Sequence, residues 1–446
     1  MLDQALKNVS VIGAAGKMGS GISLLLLQEM TRLEIADNPA GKIPDATLNL
    51  VDRNQNVLKG LLSYLKPQMV RYAEKNIVAL RANLSSRTDL VDNAEIIEEY
   101  VNRALLIANP TSNSKDTKDS KLIFEAVFEK LELKEQVLSG LADICSPETL
   151  FFTNTSSIPI SVVEKAAKLE GRLIGYHFYN PPAVQRLVEV ITSPTTPDSF
   201  KKLSDEIGKR LNKVLVPAND IAGFIGNGHF IRDGLYGINQ MEKLSGELGQ
   251  DKSVLIINKV TQDFMIRPMG IFQLIDYVGL DVVQMILETM DRYIENETLN
   301  SQFIQDMLQA GIFGGQFSDG SQKDGFFQYQ KNFPVSVFDL NRKTYVPISE
   351  SLNSECDKYL GELAPEFLPW KVLSRDRNKD KKMKAYFTTL FQQNSKGAEL
   401  AKAYLMNSRK ISENLVEGGI AESAEDVSKV LSNGFYHLYG PENSLF

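Results

Sequence analysis

A short apolar run, Asn8-Val9-Ser10-Val11-Ile12, breaks at Gly13, Gly16 and Gly19 and resumes as an apolar helical stretch over residues 22–27. Strand, glycine turn, helix restricts the fold more than any other feature of the chain. Such a turn is tight, its backbone comes close to a ligand or a neighbouring element, and a helix N-terminus faces the same point. A pyrophosphate suits all three, because the amide dipoles at a helix start favour negative charge. The pattern predicts an α/β, Rossmann-type domain with Gly13, Gly16, Lys17, Met18 and Gly19 against a dinucleotide. Taken alone, it fits a plain strand–helix turn equally well. A second strand, residues 48–51, ends at Asp52. An acid there accepts hydrogen bonds from the ribose hydroxyls of NAD and repels the 2′-phosphate of NADP. Its structural alternative is a helix N-cap, and the neighbouring Arg53 softens the preference for NAD.

The chemistry-bearing stretch lies further on, at residues 150–190. Leu150-Phe151-Phe152 runs into the polar cluster Asn154-Thr155-Ser156-Ser157. That is the profile of a buried strand delivering polar side chains at its carboxyl end, where open α/β sheets bind ligands. His177 stands where Leu173-Ile174-Gly175-Tyr176 meets the breaker Asn180-Pro181-Pro182, and Glu189 interrupts Leu187-Val188-Glu189-Val190-Ile191. A carboxylate in a buried strand needs a partner. On neighbouring strands, this pair fixes the imidazole tautomer and makes a general base. The bland alternative is a core histidine and a surface glutamate. The chain has only three histidines, so His177 is not background.

NTSS, then HFYNPP, then LVEVI, in that order and spacing, resembles the core of the L-3-hydroxyacyl-CoA dehydrogenase family. Those enzymes oxidise the 3-hydroxyl of a fatty acyl-CoA with NAD. The resemblance implies a catalytic set of His177, Glu189, Ser156 and Asn227, the last in a variant of the family's PGFIxNR pattern. It places Asn154 and Asn180 on the cofactor side. EAVFEKLELK resembles the family's EAVxENLxxK, which implies Glu129 near the nicotinamide ribose and Lys134 by cofactor and substrate. Ser156 and Asn227 also count as substrate-binding. Lys75 is the implied CoA contact on the helix after Asn54, although Gln68 stands where the family has a serine. Other departures are the GxxGxxG spacing in place of GxGxxG, the long gap before Asp52, and Gln316 where a lysine reaches the cofactor. No metal is implied: no second histidine stands at ligand spacing, and His229 is expected on a helix surface.

At 446 residues the chain predicts about three domains. We expect a Rossmann-like domain over 1–217 with insertions near 31–46 and 85–120. All-α C-terminal domains follow: one over 218–330, and a linker plus a second, divergent helical domain over 331–446. Residues 109–120 read as a polar loop and residues 31–44 as a loop ahead of the second strand. Gly418-Gly419-Ile420 and Gly434-Phe435 resemble the second C-terminal repeat of multidomain members, and no hydratase domain is visible. Related single-domain enzymes dimerise through the helical domain. A duplicated domain supplies that packing within one chain, so a monomer with pseudo-dimeric tandem domains is expected, with a homodimer as the alternative. A net charge of −7 argues against nucleic acid or an anionic membrane as the main partner. Cys145 and Cys356 give no disulfide framework and suit a reducing compartment, here the cytoplasm. No signal peptide and no run of about twenty apolar residues is expected. Competing readings are a dehydrogenase of a non-CoA hydroxy or sugar acid, and a catalytically weak NAD-binding regulatory protein.

Overall fold

The computed structural model describes residues 2–40, 43–317 and 320–445. The chain divides into two compact units between Asp220 and Ile221.

The first unit is a sheet of eight strands: β1 Asn8–Ile12, β2 Thr47–Val51, β3 Ala108–Thr111, β4 Leu122–Glu125, β5 Leu150–Thr153, β6 Leu173–Phe178, β7 Leu187–Ile191 and β8 Val214–Ala218. Their order is β3-β2-β1-β4-β5-β6-β7-β8. Neighbours from β3 to β6 pair in parallel, β7 returns antiparallel to β6, and β8 runs parallel to β7. Strand order reverses direction between β1 and β4, the point where such sheets open a ligand crevice. β4, β6 and β7 are buried along their whole length. This explains their near-continuous apolar runs, and why the one acid in β4 and the one in β7 stand out.

Two insertions differ from expectation. Residues 31–37 are not loop; they complete the helix Lys17–Asp37. Thr31, Glu34 and Ile35 are buried there, and the Thr31 hydroxyl donates back to the Leu27 carbonyl at 2.7 Å. Arg103 then caps the chain beyond the helix, donating to the carbonyls of Asn38 and Pro39 at 2.5 and 2.8 Å. Gly41 lies outside the described residues. In the second insertion, residues 93–107 form the helix Asn93–Ile107, started by a reciprocal Asp92–Glu95 capping box. The polar segment after it opens with the edge strand β3. Pro110 is tolerated there because an edge strand leaves one row of amides unpaired, and Asn109 ties in by donating to Asn49 Oδ1 at 2.9 Å.

The second unit is mainly helical. Its first half carries the helices Gly226–Leu248, Gln250–Lys259, Ile271–Val278, Leu280–Tyr293 and Gln302–Gln309. A small antiparallel sheet follows, β9 Phe327–Gln330, β10 Phe333–Asp339 and β11 Thr344–Pro347. The helices Glu350–Leu360, Lys379–Gln392, Lys396–Glu417 and Ala424–Gly434 complete it. The expected domain boundary at 330/331 falls inside a hairpin, where Gln330 pairs with Phe333. One apolar core runs across that boundary, from Ala222 and Phe230 through Phe326 and Phe338 to Tyr386 and Leu405. The two helical segments are therefore one folding unit, not two domains. Among the described residues no helix is long and apolar enough to cross a membrane.

Candidate active site

The glycine turn is built for close approach. Gly13 sits at φ +74°, where a Cβ would lie 2.7 Å from the Ala126 carbonyl oxygen. At Gly19 a Cβ would run into the Gly13 carbonyl, so the helix packs directly on the turn. The Gly16 amide donates to that same carbonyl at 3.0 Å. No acid stands in the first turn of the Lys17–Asp37 helix, and Met18 packs half-buried against the core of the unit. A backbone cradle that any side chain would fill, facing an uncompensated helix start, fits a pyrophosphate. Asp52 follows β2 directly and is half-buried; its Oδ1 accepts from the Asn54 amide at 3.3 Å. The N-cap of the next helix is Asn54, not Asp52.

Beside the turn, the ends of β4 and β5 carry a buried chain of charges. Glu125, with no exposed surface, accepts from both the Lys134 ammonium (3.0 and 3.1 Å) and the Thr153 hydroxyl (2.6 Å). Lys134, 1% exposed, also pairs with Glu129 at 3.3 Å. Glu129 Oε1 in turn accepts from the Thr155 hydroxyl (2.6 Å) and the amides of Ser156 (2.7 Å) and Ser157 (3.0 Å). Burial alone would raise the Glu129 carboxyl; Lys134, Thr155 and the two amides outweigh it and hold the group below its ordinary value. Burial likewise opposes charge on Lys134, but Glu125 and Glu129 keep it raised. Glu129 thus fixes the turn that presents Ser156, whose hydroxyl lies 3.3 Å from it.

His177 and Glu189 are directly opposite in the antiparallel β6–β7 register. The imidazole Nδ1 lies 2.8 Å from Glu189 Oε2, and the Tyr179 hydroxyl donates to the same oxygen at 2.9 Å. Glu189 is fully buried and His177 is 8% exposed. With Nδ1–H donating to the carboxylate, the proton-accepting nitrogen of the ring is Nε2. Asn154 accepts from the Phe178 amide at 2.9 Å, locking the end of β5 to the end of β6.

The structure thus brings together two of the sequence-derived groups: His177 with Glu189, and Ser156 with Glu129 and Lys134. Asn180 follows β6 in the turn toward β7, Lys75 is the exposed last residue of the helix Gln55–Lys75, and Asn227 belongs to the second unit, in the first turn of the Gly226–Leu248 helix. Sequence reasoning missed Glu125, Thr155 and Tyr179. Glu125 carried a signal, an acid closing an otherwise apolar strand; nothing marks a tyrosine as a carboxylate donor. His229 is a correction. It is not on a helix surface but 1% exposed, with Nε2 3.0 Å from the Ser408 hydroxyl, because the Lys396–Glu417 helix packs over it. Burial first, then Arg267, push it down to about 4. Among the described residues no cluster of metal-ligand type occurs. Gln316 forms an isolated bridge with Gln322, and Ser318 beside it lies outside the described residues.

Residues 8–221 match the family model for the 3-hydroxyacyl-CoA dehydrogenase NAD-binding domain, and residues 247–329 the model for its C-terminal domain. A probable 3-hydroxybutyryl-CoA dehydrogenase of Deinococcus radiodurans is 30% identical over 223 residues, covering 48% of this chain and 75% of its own. A peroxisomal fatty acid beta-oxidation multifunctional protein of rice is 29% identical over 327 residues, 73% of this chain; the chain spans only 38% of that protein's length. The crystal structure of an Escherichia coli 3-hydroxybutyryl-CoA dehydrogenase superposes with a TM-score of 0.64 at 20% identity, over 98% of this chain and 90% of that one.

Proposed function

The chain belongs to the 3-hydroxyacyl-CoA dehydrogenase family of NAD-dependent oxidoreductases, and from that premise we propose that it oxidises (3S)-3-hydroxyacyl-CoA to 3-ketoacyl-CoA in fatty acid β-oxidation, with His177 and Glu189 as the base pair. The observation that carries this reading is the 2.8 Å contact between Nδ1 and a carboxylate with no exposed surface. Nε2 takes the proton from the substrate 3-hydroxyl. Glu189 holds the ring in the competent tautomer and stabilises the imidazolium that results, and Tyr179 holds the carboxylate in place. Ser156 and Asn227 donate hydrogen bonds to the oxygens of the substrate, where negative charge builds. Bound NAD supplies the hydride acceptor; Gly13, Gly16, Lys17, Met18, Gly19 and Asp52 would hold its ADP half, with Glu129, Lys134, Asn154 and Asn180 toward the nicotinamide end.

We further propose a monomer in a reducing compartment, the cytoplasm. Both cysteines are buried free thiols, and the Lys396–Glu417 helix packs on Gly226–Leu248 within the same chain. NADH oxidation with acetoacetyl-CoA, compared across chain lengths and against NADPH, tests the activity. Turnover with NADH and an acyl-CoA is expected; cofactor binding without turnover on any acyl-CoA would overturn it. Light scattering after size exclusion checks the monomer.

A further inference from the structure

Asn227 stands between two glycines, Gly226 and Gly228, in the first turn of the Gly226–Leu248 helix. Just upstream, Gly223 (φ +83°) and Phe224 (φ +50°) both take the left-handed conformation. Glycine loses the most conformational freedom on folding and is a poor helix former. A Gly-Asn-Gly helix start therefore does little by itself to hold the asparagine still. The family pattern PGFIxNR has an arginine at 228, where this chain has Gly228.

Contacts inside the second unit supply the missing restraint. The Lys396–Glu417 helix brings Leu415 against the turn: a Cβ at position 228 would lie 3.1 Å from Leu415 Cδ2, so the space for a side chain there is taken. The Gly228 amide donates to the Gly223 carbonyl at 3.0 Å. Arg232, one helical turn on, reaches back and donates from Nη1 to the Gly228 carbonyl at 2.7 Å. The rest of its fork goes to Glu297, in the turn after the Leu280–Tyr293 helix. Arg232 Nε lies 3.0 and 2.9 Å from the two carboxylate oxygens, and Nη2 lies 2.5 Å from Oε2. The Arg232 side chain is 11% exposed. A planar guanidinium engaged on three nitrogens has little freedom left. It acts as a strut between the Glu297 turn and the backbone one residue past Asn227. An ordinary ion pair on a helix surface contributes little and needs no bond to a carbonyl.

We propose that Arg232 is a positioning residue for Asn227: braced by Glu297, it fixes the Gly-Asn-Gly turn and so aims the asparagine amide, from one turn beyond the arginine of the family pattern. The inference rests on the reading of Asn227 as a hydrogen-bond donor to the substrate and adds what holds it. Full-length wild type, Arg232→Met, Asn227→Ala and the double variant are compared in NADH-dependent reduction of acetoacetyl-CoA, with NADH affinity and melting temperature measured on each. Asn227→Ala is expected to lower kcat on the order of 10²-fold, as the loss of one donor to a developing oxyanion does. Arg232→Met should lower kcat by about tenfold or more through misplacement, leave NADH affinity alike, and cost nothing further once Asn227 is alanine. Residues that act through one another are not additive. Glu297→Gln should show a smaller loss with the same dependence on Asn227, and it decides the matter if Arg232→Met does not fold. A loss of equal size with and without Asn227, or an effect confined to melting temperature, overturns the proposal and leaves a plain ion pair. Wild-type kcat in Asn227→Ala overturns the reading of Asn227 itself, and this proposal with it.

Discussion

Two buried histidines, His177 of the first unit and His229 of the second, keep different partners. His177 stands at the carboxyl end of a strand, 2.8 Å from a carboxylate. His229 lies in a helix under another helix, 3.0 Å from a serine hydroxyl, with the Asp233–Arg267 ion pair nearby. Under the proposed function, a carboxylate partner makes protonation of the ring part of a cycle; a hydroxyl partner and a neighbouring guanidinium make it a defect. Burial by itself therefore says nothing about function, and the identity of the partner says most of it.

The sharpest way to break this contrast is to remove each ring in turn. His177→Gln should lower kcat on acetoacetyl-CoA by on the order of 10²–10⁴-fold while the melting temperature stays near wild type; His229→Gln should retain turnover and lose stability. Substantial activity in His177→Gln would end the comparison. Next in size is the ion pair of the second unit. Arg267→Met leaves Asp233, 3% exposed, without its 2.6 Å partner, and denaturant unfolding should show a loss of about 3–5 kcal/mol. A neutral result would mean the pair is dispensable to packing.

The pH dependence follows from the sign of the shift. The unfolded chain protonates its histidines near 6.5, but folded His229 resists until about 4. The unfolded state thus binds the extra proton first, and stability present above pH 6.5 is lost as pH falls toward 4. At 1.36 kcal/mol per pKa unit the loss is roughly 3 kcal/mol, and His437, also lowered well below its usual value by burial, adds to it. His229→Gln should flatten that acid limb in a series of urea melts. The smallest effect is expected for Ser408→Ala, which removes one buried hydrogen bond worth about 1 kcal/mol and should leave turnover unchanged.

How much of this was legible in the chain varies with the reach of the signal. The glycine turn, β2 and Asp52, and the β6–β7 pair could be seen because each is a local pattern: an apolar run stopped by a breaker or interrupted by one acid. The antiparallel return of β7 places His177 opposite Glu189. Where expectation failed, the deciding contact was distant in sequence. Arg103 capping Asn38 and Pro39 spans more than sixty residues, and Ser408 lies 179 residues from His229. The edge strand β3 hid inside a polar segment because an edge needs few apolar side chains, and Pro110 argued against any strand at all.

The hairpin from Gln330 to Phe333 has a practical meaning for anyone who would dissect this protein. Truncation there would remove Phe338, Tyr386 and Leu405 from the apolar core they share with Phe272 and Phe326 and bare that core to solvent. Whatever its ancestry, the final quarter of the chain is not a removable accessory. Shortened versions meant to mimic the smaller relatives would have to redesign that newly bared surface before they could be expected to stay in solution.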